Sequence, residues 1–204
     1  MNYLAHIFLS GTDEDNLIGN FIGDYVKGKQ YKEFPEKIRK GIMMHRYIDS
    51  YTDSHAIVLQ SKRYFVQGYH KYAGIIIDIL YDHFLTRNWE LYCPTPLEEF
   101  KEGLHEILKK YYSILPERVQ FFVPSFIKND WIKIYSSVEG IANVLERMSM
   151  RTTLPPKTEY AMEVLRKYYI QLDSEFKIYF PDIIRYIMRK FEITILLKDN
   201  QLLK

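Results

Sequence analysis

The run Ala73 to Trp89, AGIIIDILYDHFLTRNW, is apolar almost all the way round a helix and yet carries Asp78, Asp82 and His83. A helix surrounded by Ile75, Ile76, Ile77, Ile79, Leu80, Phe84 and Leu85 must be buried. Ionisable groups on a buried helix are costly unless they are paired or hold a metal. Asp78 and Asp82 are one turn apart and share a face, and His83 adds an imidazole one position round.

The same conflict recurs in two distant segments. In PEKIRKGIMMHRYIDSYTD the apolar stripe Ile38, Ile42 continues at helical spacing into His45, Asp49 and then Thr52 or Asp53. In DEDNLIGNFIGDYVKG the stripe Leu17, Phe21 runs into Asp24, with Asn20 one turn before it. An acid at the end of that helix opposes the macrodipole, which argues for a role. His6, on the amphipathic segment NYLAHIFLS, is either a hydrogen-bonded core histidine or a further ligand. Together these residues supply oxygen and nitrogen donors of the kind that suit Mn, Fe or Zn.

A chain of 204 residues is long enough for one domain with a substantial core. Its 28 basic and 26 acidic residues leave a net charge of +2, which argues against a general nucleic-acid binder, whose affinity comes from many cation–phosphate contacts. Cys93 is the only cysteine, so no internal disulfide forms and a reducing compartment is expected. The N-terminus lacks a basic region ahead of its apolar run, and no segment reaches the roughly twenty apolar residues of a membrane span. A cytoplasmic protein without a membrane partner is the expectation.

Helical periodicity runs from end to end without a convincing hairpin, so the expected class is all-α, a single multi-helix bundle over 1–204. The expected helices are about 2–10, 13–27, 35–52, 56–67, 70–92, 96–113, 116–128, 130–150 and 157–190. Pro35, Pro96, Pro116 and Pro156 sit near helix starts, where a missing amide donor does little harm, and Gly28 reads as a helix stop. The tail EITILLKDNQLLK fits a short strand, the last turns of a helix or a frayed end.

The segments NYLAHIFLS, GNFIGDYVKG, GIMMHRYIDSYTD, DILYDHFLTRNW and NVLERMSMR resemble, in order, the motifs of the bacterial acyl carrier protein phosphodiesterase family over about residues 1–190. The resemblance implies an all-helical fold related to the HD phosphohydrolases. It implies hydrolysis of the phosphodiester that joins 4′-phosphopantetheine to the serine of holo acyl carrier protein. A divalent metal is implied as well, typically Mn2+, with Mg2+ or Fe2+ as other candidates. The polar positions of the matching motifs are Asp24, His45, Asp49, Asp78, Asp82 and His83, with His6 beside them. One departure is visible: the chain has no contiguous His-Asp pair, only the reverse, Asp82-His83.

On this reading Asp24, His45, Asp78, His83 and His6 are the expected metal ligands. Asp49 or Asp82 positions the water or protonates the leaving group. Arg46 and Arg87 adjoin these motifs, and their guanidinium forks suit a phosphate oxygen, although surface salt bridges account for them equally well. Lys27 and Lys29, with Arg39 and Lys40, are expected on a basic rim facing an acidic carrier protein or on an ordinary solvated helix face. Two rivals stand beside this expectation: the same chemistry on a nucleotide, and a non-catalytic helical module that grips acyl carrier protein.

Overall fold

The computed structural model describes residues 2–199, and these are all-α. The helices are α1 (Tyr3–Leu9), α2 (Glu14–Phe21), α3 (Glu36–Ser54), α4 (Ala56–Tyr69), α5 (Ala73–Arg87) and α6 (Trp89–Tyr92). They continue with α7 (Leu97–Lys110), α8 (Glu117–Lys128), α9 (Trp131–Ile134), α10 (Val138–Arg151) and α11 (Thr158–Phe191).

Local chemistry divides what periodicity alone had joined. The helix expected over 13–27 stops at Phe21 and continues as a tight 3-10 turn, Gly23–Tyr25, which carries Asp24. The one expected over 70–92 breaks at Asn88, whose side-chain amide donates back to the Phe84 carbonyl at 2.8 Å. The one expected over 130–150 breaks because Ser137 caps α10, accepting from the Gly140 N–H at 3.0 Å. Pro35, Pro96 and Pro116 occupy the N-caps of α3, α7 and α8, as their fixed φ favours. The described part of the tail, residues 192–199, is neither strand nor helix. Ile195 is buried, and the Lys198 N–H donates to the Tyr92 carbonyl; the expected tail residues 200–204 lie outside the described residues.

Helix α1 is the pivot of the site. It is buried from Leu4 to Leu9 and packs between α2 and α5, while α11 covers α3 and α4. Full burial of each large apolar side chain contributes about 1.5–3 kcal/mol, and the aromatic layer of Tyr81, Phe84, Phe176 and Phe180 holds α5 against α11 on this basis. Helices α2 and α3 approach almost backbone to backbone. A Cβ on Gly19 would lie 2.1 Å from the Ile38 carbonyl oxygen, and one on Gly41 would lie 2.2 Å from that of Asn16. That contact brings the C-terminal end of α2 beside His45.

Candidate metal centre

His6 on α1 and His45 on α3 stack with ring centroids 4.1 Å apart and 18° between their planes. Both are buried, and both are oriented by Asn20 at the end of α2. The Asn20 side-chain NH2 donates to the His6 carbonyl at 2.8 Å and to Ser10 Oγ at 2.9 Å, which fixes the amide the other way round toward His6. Asn20 Oδ1 therefore accepts from His6 Nδ1–H at 2.8 Å. The Asn20 backbone carbonyl accepts from His45 Nδ1–H at 2.9 Å.

With both Nδ1 atoms protonated, the neutral rings leave a lone pair on each Nε2. Neither Nε2 has a hydrogen-bond partner, yet both are buried. What they face is acid. His6 Nε2 lies 3.2 Å from Asp49 Oδ1, and His45 Nε2 lies 3.2 Å from Asp49 Oδ2 and 3.3 Å from Asp24 Oδ1. Lone pairs aimed at carboxylate oxygens call for a cation between them. The ligand atoms of His6, His45 and Asp49 all lie within 4.8 Å of one another, a nitrogen and oxygen donor set that fits a divalent transition metal.

Protonation equilibria reflect the same demand. Burial lowers the His6 pKa, and the neighbouring His45 lowers it further. Burial also works against a charge on His45, but Asp24 and Asp49 outweigh it and raise the imidazole to about 9. Burial disfavours the Asp49 carboxylate, but His45 and His6 hold it well below the usual carboxylate range; Asp24 is lowered chiefly by His45. In the metal-free protein a proton on His45 thus supplies the positive charge that the acids require.

The structure brings together Asp24, His45, Asp49 and His6. Asp78 joins from α5, lining with Asp24, Asp49 and Asp53 a cavity of about 200 Å³. Four expected residues are directed elsewhere. His83 is buried, but its Nδ1 donates to the Tyr135 carbonyl at 2.7 Å and its Nε2 accepts from the Tyr169 hydroxyl at 2.8 Å, which leaves no nitrogen for a metal. Asp82 is fully buried and caps α1, accepting from the Leu4 N–H at 2.9 Å and the Ala5 N–H at 3.3 Å. Arg87 lies on the same side of α5 as His83, beside the Tyr169 phenol. Arg46 donates to the carbonyls of Val26 and Gly28 at 3.0 and 2.9 Å and stacks on Tyr31. It pins the exposed loop carrying Lys27 and Lys29 rather than presenting a free fork.

Sequence reasoning placed Asn20 on the right stripe but gave it no task; an amide inside an apolar stripe, one turn from an acid, is the signal it offers. Gly23 carried no signal at all. A Cβ there would fall 2.2 Å from His45 Cγ, so only glycine lets the 3-10 turn lie flat against the imidazole.

A model of the acyl carrier protein phosphodiesterase family matches residues 1–183. Similar proteins bear the same name. The one from Pectobacterium atrosepticum is 32% identical over 89% of this chain and 94% of its own. Those from Yersinia pestis and Escherichia coli are 30% and 31% identical, each over 93% of this chain and 99% of its own. No solved structure matches.

Proposed function

Because the chain belongs to the acyl carrier protein phosphodiesterase family, we propose that it hydrolyses the phosphodiester of holo acyl carrier protein, releasing 4′-phosphopantetheine and the apo protein. The observation that carries this reading is the pair of buried Nε2 atoms of His6 and His45 facing Asp49 and Asp24, where a cation is required between nitrogen and carboxylate. His6, His45 and Asp49 would hold a divalent ion, which we take to be manganese, with Asp24 at their side. When bound, such an ion supplies Lewis acidity to the phosphoryl oxygens and lowers the pKa of water.

The chain's own residues divide the remaining work. Asn20 fixes both imidazole tautomers, so that neither ring has to reorganise. Asp24, exposed at the mouth and kept ionised by His45, accepts the proton of the attacking water. The water oxygen bonds to phosphorus as the bond to the serine oxygen breaks, and the serine leaves protonated by solvent. Asp82 and Arg87 take no part, because their polar atoms are engaged away from this centre.

Recognition of the carrier protein falls to the loop after Asp24. Lys27 and Lys29 are exposed there, and Arg46 holds the loop in place, so two cations stand next to the mouth for an acidic partner. Incubating the manganese-loaded protein with holo acyl carrier protein and with a panel of nucleotides, and separating the products by chromatography, tests the reading. Release of phosphopantetheine with the nucleotides left intact is expected. Turnover of nucleotides alone would replace this proposal with the nucleotide phosphohydrolase reading.

A further inference from the structure

Where α3 meets the last turns of α11, a cleft of about 420 Å³ is lined by Tyr51, Asp182, Arg185, Tyr186, Arg189 and Lys190. Its wall is aromatic: Tyr51 and Tyr186 stack with ring centroids 4.3 Å apart and 16° between their planes. Its one acid is already answered, because Asp182 binds Arg185 and lies 3.3 Å from His55 Nε2. Arg189 and Lys190 are exposed and have no ion-pair partner among the described residues; Lys190 stands instead 4.8 Å over the Tyr47 ring. Cations in the last turn of a helix answer its macrodipole, which alone accounts for Arg189 and Lys190. It does not account for a cleft with a tyrosine wall beside them.

The cleft and the metal centre share one helix. Tyr51 follows Asp49 by two residues on α3, roughly 200° round and about 3 Å along the axis. A helix with its side chains is about 10–12 Å across, so the cleft opens about one helix diameter from the mouth. Between them the crest of α3 carries exposed Ser50, a small side chain that lets another molecule lie close, and Arg46, which holds the loop of Lys27 and Lys29. Unpaired cations therefore flank both sides of an open helix crest.

We propose that this cleft is a second contact for the carrier protein, gripping an acidic segment of it while the arm enters the metal centre. The inference rests on the proposed function above and extends its docking surface. A specific protein interface takes about 800 Å² from each partner, far more than a two-lysine loop offers, and a patch of that size reaches roughly 15 Å from its centre. A cleft one helix diameter from the mouth falls inside such a footprint. Tyrosine and arginine are also the side chains that anchor protein interfaces, and the two free cations match an acidic surface. A small phosphodiester, held at the mouth alone, does not reach the cleft.

The test compares the manganese-loaded full chain with Arg189→Glu, Lys190→Glu and the double variant, each checked for native helical content, with Lys27 and Lys29 left in place. Binding of apo carrier protein, which lacks the arm, is measured by calorimetry, and turnover is measured on holo carrier protein and on bis(p-nitrophenyl) phosphate. The double variant is expected to bind apo carrier protein roughly tenfold more weakly and to raise KM for the holo protein by a similar factor, with kcat and the small diester unchanged. Each single variant should lose about threefold, so the test stands even where the double variant loses helix. Arg189→Lys keeps the charge and should bind like the unsubstituted chain. Unchanged binding and KM in the Glu variants would overturn the docking surface and leave the proposed function standing. Binding of adenosine monophosphate that the Glu variants lose, with carrier protein binding unchanged, would overturn it in favour of a small-anion site. An unsubstituted chain that neither binds nor hydrolyses the carrier protein would overturn the proposed function, and this inference with it.

Discussion

Asn20 and His45 are joined through a backbone carbonyl, Asn20 O accepting from His45 Nδ1–H at 2.9 Å, while the side chain of the same asparagine holds His6. One buried residue thus sets the tautomer of both imidazoles.

Replacing Asn20 by Ala removes the acceptor for His6 but leaves the backbone carbonyl that serves His45. Partners of this kind are worth ~10–100-fold in metal affinity. The expected result is a loss of manganese affinity within that range, read by calorimetry, with helical content unchanged in circular dichroism. Unchanged affinity would remove His6 from the ligand set.

Gly23→Ala places a methyl group where the His45 ring stands, 2.2 Å from its Cγ. Overpacking of this kind costs about 1–3 kcal/mol. Stability should fall by about that amount, and metal binding should be lost almost completely because the ring must turn away. A variant that binds manganese normally would show that the turn relaxes instead.

A separate expectation concerns Asp82. Burial raises its carboxyl from 3.8 to about 7, against the pull of the Leu4 and Ala5 N–H groups. The folded chain therefore holds this proton more tightly than the unfolded chain does. Its contribution to stability is fully present below about pH 4 and is lost as pH rises through about 7, with a slope of up to about 1.4 kcal/mol per pH unit. Denaturant unfolding of the metal-free protein from pH 4 to 8 should show the unsubstituted chain losing stability relative to Asp82→Asn. Parallel curves would mean that Asp82 ionises normally inside the fold.

At the docking loop, reversing Lys27 and Lys29 to Glu should lower kcat/KM for the intact carrier protein by roughly tenfold and flatten its dependence on salt, because rim charges act on encounter. Hydrolysis of a small phosphodiester should change little. Equal loss on both substrates would remove these lysines from the docking surface.

The sequence makes the site legible only in part. Stripes that turn from apolar to ionisable located Asp24, His45, Asp49 and Asp78, because a helix cannot bury such groups without compensation. The same rule drew in Asp82 and His83, and there compensation takes another form: backbone amides of α1 for Asp82, a carbonyl and a tyrosine hydroxyl for His83. Periodicity reports that a polar group faces inward but not what meets it. The apparent reversed pair Asp82-His83 therefore belongs to packing, and its place beside the acids is taken by His6, which arrives from α1, far away in sequence. Helix interruptions at Asn88 and Ser137 were hidden for a related reason, since a side-chain cap outweighs a continuing apolar pattern.

The intact mass of holo acyl carrier protein, recorded before and after incubation with this protein and manganese, is the most direct measurement. The expected result is loss of the whole phosphopantetheine group, abolished by a chelator and by Asp49→Asn. An unchanged mass, with manganese bound and the fold intact, would contradict the assignment.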